Sequence, residues 1–124
     1  MDNFMRAISE NGGVLFCAID STQIVREMER IHKPSAVTSA ALGRLLTAAS
    51  MMGALLKRDS NTVTLRVKGD GPAGTVLAVA NGAGNVKGYV GNPNVILHAN
   101  DKGKLDVAGA VGVGFMNVIK DMGL

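Results

Sequence analysis

Apolar and polar positions change rhythm several times along the chain, and each rhythm predicts an element. Asn3 to Ser9 and Val14 to Ile19 read as two strands. The residues between them, Asn11-Gly12-Gly13, tolerate the positive φ of a tight hairpin turn. Asp20, Ser21 and Thr22 then offer capping side chains before Gln23 to His32, where Ile24, Val25, Met28 and Ile31 recur at helical spacing. That is an amphipathic helix, closed by Pro34.

The next segment, Ser35 to Lys57, has apolar residues in every direction around a helical wheel, among them Leu42, Leu45, Leu46, Ala49, Met52 and Leu56. Such a helix is expected to be buried all round, and sandwiching it between two sheets is one way a protein does so. Ala40, Gly43, Ala48 and Gly53 would let neighbouring backbones come close.

After Lys57-Arg58-Asp59 the period becomes two. Val63, Leu65 and Val67 alternate with Thr62, Thr64, Arg66 and Lys68, as in a half-buried strand. Gly69-Asp70-Gly71-Pro72 turns the chain into an apolar strand, Thr75 to Ala80. Asn81 to Asn85 turns it again into Val86 to Val90, which Gly91-Asn92-Pro93 ends. Leu105 to Val113 predicts a short helix or bulged strand, and Phe115 to Lys120 a last strand. The expected fold is α+β: a three-layer β/α/β sandwich with a buried central helix and mostly antiparallel strands. No repeat, low-complexity linker or break in composition divides residues 1–124, so one domain is expected.

Composition agrees with a packed core, since 47% of residues are hydrophobic and 19% charged. The single cysteine, Cys17, has no intramolecular partner for a disulfide, and no secretory signal pattern opens the chain. A cytoplasmic location is expected. The strongly apolar, charge-free stretch Leu45 to Leu56 falls well short of the roughly 20 residues a spanning helix needs, so no membrane partner is expected. The net charge of +3 raises nucleic acid as a partner. The basic residues are scattered in sequence, however: Arg26, Arg30 and Lys33 in the first helix, Arg66 and Lys68 in one strand. With four aromatics in all, no specific nucleic-acid role is expected.

Candidate chemistry is sparse. Gly69, Gly71 and Gly74 have the spacing of a dinucleotide-binding loop, but Pro72 and the strand-like Thr75-Val76-Leu77 follow where that loop must open a helix. A structural turn is the expectation. Cys17 lies in an apolar run and reads as a small core hydrophobe, not a nucleophile activated by His32 or His98. One cysteine and two distant histidines lack zinc spacing. Glu27 with Glu29, and Asp101 with Asp106, do not read as general acid and base. No catalytic, cofactor-binding or metal-binding residue is assigned, and an enzyme is not expected. Of the methionines, Met51 and Met52 are expected in the core, whereas Met28, Met116 and Met122 are candidates for an exposed, adaptable surface.

Several local sequences together resemble a known family. They are Ala41-Leu42-Gly43-Arg44-Leu45-Leu46-Thr47-Ala48-Ala49, Lys68-Gly69-Asp70-Gly71-Pro72 and Gly88-Tyr89-Val90-Gly91-Asn92-Pro93. Gly103-Lys104-Leu105-Asp106-Val107 follows, with Gly112, Gly114, Lys120, Asp121 and Gly123. Four such segments in order resemble the redox-regulated bacterial holdase family, heat-shock protein thirty-three, over essentially the whole chain. The resemblance implies a helix between sheets and a chaperone that holds unfolding or partially folded clients without ATP under oxidative and heat stress. It also implies a homodimer, and a zinc centre of four cysteines in a carboxy-terminal switch domain.

This chain carries none of those cysteines, and Cys17 matches none of them. It is therefore expected to be the family's amino-terminal core domain, truncated before the linker and redox switch, and without a cofactor. Which residues contact clients is unknown at this level. Two other readings stay open: a small-ligand or enzymatic domain using the glycine-rich turns around Gly69 and Gly112, and a basic nucleic-acid module.

Overall fold

The structure, a computed structural model, describes residues 3–123. Strands β1 (Phe4–Ile8) and β2 (Leu15–Ile19) form an antiparallel hairpin, followed by helices α1 (Thr22–His32) and α2 (Ala36–Ala54). Three strands then meander: β3 (Thr62–Gly69), β4 (Thr75–Asn81) and β5 (Val86–Val90). After the short helix α3 (Val107–Val111), β6 (Gly114–Asp121) returns to the far side of β3. The larger sheet therefore has the order β5-β4-β3-β6, antiparallel throughout.

Helix α2 is the middle layer. Its apolar side chains Leu42, Leu45, Leu46 and Ala49 meet Val63, Leu65, Val76, Ala78 and Val90 of the four-stranded sheet in one core. Gly88 lets α2 approach: a Cβ there would press on Leu42 and Leu46 and collide with the Leu77 carbonyl. On its other side α2 meets α1 and the hairpin's β2. The α+β, three-layer fold expected from the sequence is the observed one.

The second layer is thinner than the periodicity suggested, and α2 is not enclosed all round. Arg44 is exposed, and Ala40, Thr47, Ala48 and Met51 are half-buried along a groove of about 390 Å³. A two-stranded ribbon and one short helix cannot cover a helix of 19 residues. For the same reason Cys17 is half-buried and lies outside the core cluster that its apolar neighbours predicted. Met28, a candidate for the surface, is instead one of the core residues where α1 packs on α2.

The caps also differ in detail. Ser21 makes no cap to α1; its hydroxyl pairs with Thr47 of α2 at 2.6 Å. Asp20 instead accepts from the Thr22 amide at 3.0 Å, which satisfies that donor of the first turn. Lys33 ends α1 in the left-handed region, φ 46°, its amide reaching the Glu29 carbonyl at 2.9 Å.

Candidate functional site: the outer face of the four-stranded sheet

Alternation along each strand divides the large sheet into two faces. Val63, Leu65, Val67, Val76, Ala78 and Ala80 point toward α2, so Thr64, Arg66, Lys68, Leu77 and Val79 point away. The ladder aligns these into rows. Tyr89, Leu77, Arg66 and Asn117 form one row, and Lys87, Val79, Thr64 and Ile119 another. Thr75, Lys68 and Phe115 form a third, at the end near the β3–β4 turn.

No helix or strand among the described residues packs on this outer face. Phe115 is 79% exposed, Ile119 56% and Tyr89 46%. The far edge of the sheet is barer still, since every residue of β6 is exposed and, among the described residues, only its edge toward β3 is paired. The hairpin also has an uncovered side: Met5, 70% exposed, and Phe16, 58% exposed, lie with Ala7 and Ala18 away from α2. Exposed apolar surfaces of this kind are ones that proteins use to meet another protein, a membrane or a ligand.

The residues singled out for chemistry are dispersed. His98 is exposed in the segment after β5, His32 sits at the rim of a cleft between the hairpin, α1 and β5, and Cys17 lies in the hairpin. No cluster of three His, Cys, Asp or Glu residues able to hold a metal occurs among the described residues. Asp106 caps α3, accepting from the Gly109 amide at 2.9 Å. Glu27 is paired with Arg30 at 2.7 Å, and this guanidinium holds its carboxyl below the usual range.

The glycine turn does structural work. The amides of Asp70, Gly71 and Ala73 donate to the carbonyls of Val113, Val111 and Ala110, and the Asp70 carboxylate accepts from the Val113 amide at 2.8 Å. A Cβ at Gly69 or Gly71 would collide with the backbone of Ala110 and Val111. The donors that a phosphate loop needs are thus already bonded, and the turn clamps α3 and the start of β6.

Comparison with known proteins places this geometry. A family model described as Hsp33 protein matches residues 2–123. The chain belongs to the Hsp33 family. Among curated relatives, the 33 kDa chaperonin of Acetivibrio thermocellus is 47% identical over 123 residues, covering 99% of this chain and 42% of that protein. The 33 kDa chaperonin of Thermoanaerobacter sp. is 49% identical over 124 residues, again 99% of this chain and 42% of that one. In solved structures, the 33 kDa chaperonin of Thermotoga maritima, a heat shock protein 33 homologue, superposes with a TM-score of 0.93 at 35% identity. That match covers 98% of this chain and 41% of the Thermotoga chain. The chain therefore spans about two fifths of the length of its Hsp33 relatives.

The sequence left the basic residues of this Hsp33 chain scattered, and the sheet gathers three of them. Arg66, Lys68 and Lys87 share the outer face with Leu77, Val79 and Ile119. Alternation alone places Arg66 beside Lys68. The pairing of β5 with β4 and of β6 with β3, which adds Lys87, Phe115 and Ile119, is a tertiary fact with no local signal.

Proposed function

We propose that this chain is the amino-terminal core of an ATP-independent holdase, which binds unfolding or partially folded proteins and keeps them from aggregating. The observation that carries the reading is the amount of apolar side chain left uncovered on two sheet surfaces of an Hsp33 fold, at Phe115, Ile119, Tyr89, Met5 and Phe16. Unfolded clients expose apolar segments with strand-forming backbones, and a flat sheet face with a free edge suits both. Independence of ATP is supported by the turn at Gly69 to Gly74, whose amides are engaged within the fold. This weighs against the small-ligand reading of the same glycines.

The zinc-dependent redox switch of the family lies outside this chain in our reading. Cys17 alone supplies neither a disulfide pair nor a four-thiolate site. The chain works in the cytoplasm and pairs with a second copy, a reading supported by the free edge of β6. No helix among the described residues is long and apolar enough to cross a membrane.

The test is suppression of aggregation. A chemically unfolded client diluted into buffer should scatter less light in the presence of a molar excess of this chain, with no nucleotide added. Unchanged scattering at every ratio refutes the reading.

A further inference from the structure

We infer that the outer face of the four-stranded sheet selects client segments in which acidic residues neighbour apolar ones. The inference rests on the client-binding reading above and adds a charge requirement to it. Arg66 stands in the middle of the sheet, in the row between Leu77 and Asn117. Lys68, two residues on along β3, stands between Thr75 and Phe115, and Lys87 stands beside Val79. All three cations are exposed.

None of them has an ion-pair partner among the described residues, where the one salt bridge joins Arg30 to Glu27 on α1. Two carboxylates border this face: Asp121, at the end of β6 opposite Thr62 in the row farthest from Lys68, and Asp70, two residues beyond Lys68 in the turn, whose oxygen accepts from the Val113 amide. Arg66, Lys68 and Lys87 outnumber these carboxylates and none is ion-paired, which leaves a net positive field over apolar side chains, and charge complementarity of this kind sets which partner docks. The hairpin's bare side offers a contrast: Met5, Ala7, Phe16 and Ala18 carry no charge, and Arg6 is on the opposite side with Cys17.

An acidic polypeptide fits this face better than a nucleic acid. Its aromatics, Tyr89 and Phe115, sit on opposite edge strands, with β4 and β3 between them. At about 4.8 Å per strand they are roughly 14 Å or more apart, too far for successive bases to stack on both. Between them lie Leu77 and, one row away, Val79. These aliphatic groups favour apolar side chains. An extended client with alternate side chains on this face would put apolar groups on Leu77, Val79 and Ile119 and carboxylates near Arg66, Lys68 and Lys87.

Two unfolded peptides with identical apolar residues, one carrying glutamates and the other lysines between them, test the inference by fluorescence anisotropy with this chain. The glutamate peptide should bind about tenfold more tightly at low ionic strength, and the difference should collapse at about 1 M salt, where the Debye length is near 3 Å. Arg66→Gln/Lys68→Gln/Lys87→Gln, with its fold checked by circular dichroism, should lose the preference. Arg26→Gln/Lys57→Gln, which removes two cations elsewhere, should keep it.

Equal affinity for both peptides, or a preference that survives the triple substitution, overturns the charge requirement. So does a single-stranded oligothymidine that binds the same face more tightly than the glutamate peptide. If clients of either charge are kept soluble equally well by parent and triple variant, the holdase reading stands and this inference alone fails. If neither peptide binds and aggregation is not suppressed, both fail.

Discussion

Lysine at position 49 should unfold much of this protein, while lysine at the preceding position should be tolerated. Ala49 is fully buried in the core between α2 and the sheet. Ala48, one residue earlier, is half-buried on the flank of α2, beside Arg44 and Met51 in the open groove. An ammonium at position 49 would have no partner and no route to water. The unpaired charge and the overpacking together cost on the order of 5 kcal/mol. A domain of this size is stable by only about 5–15 kcal/mol, so little would remain.

In urea, with a slope of about 2 kcal/mol per molar, that loss moves the midpoint down by roughly 2 M or more. At position 48 the aliphatic stem can lie along the groove with its amine in water, and the midpoint should fall by about 0.5 M or less. Equilibrium denaturation followed by far-ultraviolet circular dichroism compares the two. Equal midpoints would mean that the two flanks of α2 are covered alike, and the description of a half-open helix would be wrong.

Asp70→Ala removes the acceptor of the Val113 amide and should cost about 1 kcal/mol in thermal melts, whereas Asp70→Asn, which keeps an acceptor, should stay near the parent. Hydrogen bonds from the Thr22 hydroxyl and amide hold the Asp20 carboxyl below its usual value. Its contribution is therefore present above the unfolded-state value and is lost as pH falls through the lower folded one. Parent and Asp20→Asn should differ slightly at neutral pH and converge in strong acid; divergence in acid would reverse the sign. Metal analysis of the purified chain should find no stoichiometric zinc, and peroxide should leave the circular dichroism unchanged, because Cys17 acts alone. Sedimentation equilibrium at micromolar concentrations should report at least a dimer little weakened by salt; a stable monomer that binds no hydrophobic dye contradicts the free-edge argument.

Much of the architecture was legible because its signals are local. Strict alternation from Thr62 to Lys68 is a strand, and Val63, Leu65 and Val67 do face α2. A charge-free, strongly apolar run from Leu45 to Leu56 announces a central helix, and α2 is one. What periodicity does not encode is how much cover a neighbouring layer supplies. Phe16 looks like a core residue because it is apolar, yet it lies on the side of the two-stranded hairpin that nothing covers; Leu15 and Cys17 are on the other side, which two short strands bury only in part. Met28, a candidate for an adaptable surface, recurs at helical spacing with Ile24, Val25 and Ile31, and the packing of that face of α1 turns it inward. The candidate site was the least legible, since Lys87 and Ile119 share a face with Arg66 only through strand pairing across the sheet.

The return of β6 to β3 also has a consequence for the nascent chain on the ribosome. β3, β4 and β5 are hairpin neighbours and can assemble as they emerge, but the free side of β3 must wait until residues up to Asp121 have been made. At about 5–20 residues per second that side stays open for several seconds. During the wait its unpaired amides and carbonyls are flanked by Arg66 and Lys68, charges of the kind that discourage edge-to-edge pairing with another growing copy. The cations we assign to recruiting clients in the finished sheet would thus guard the same strand against self-capture while it is being synthesised.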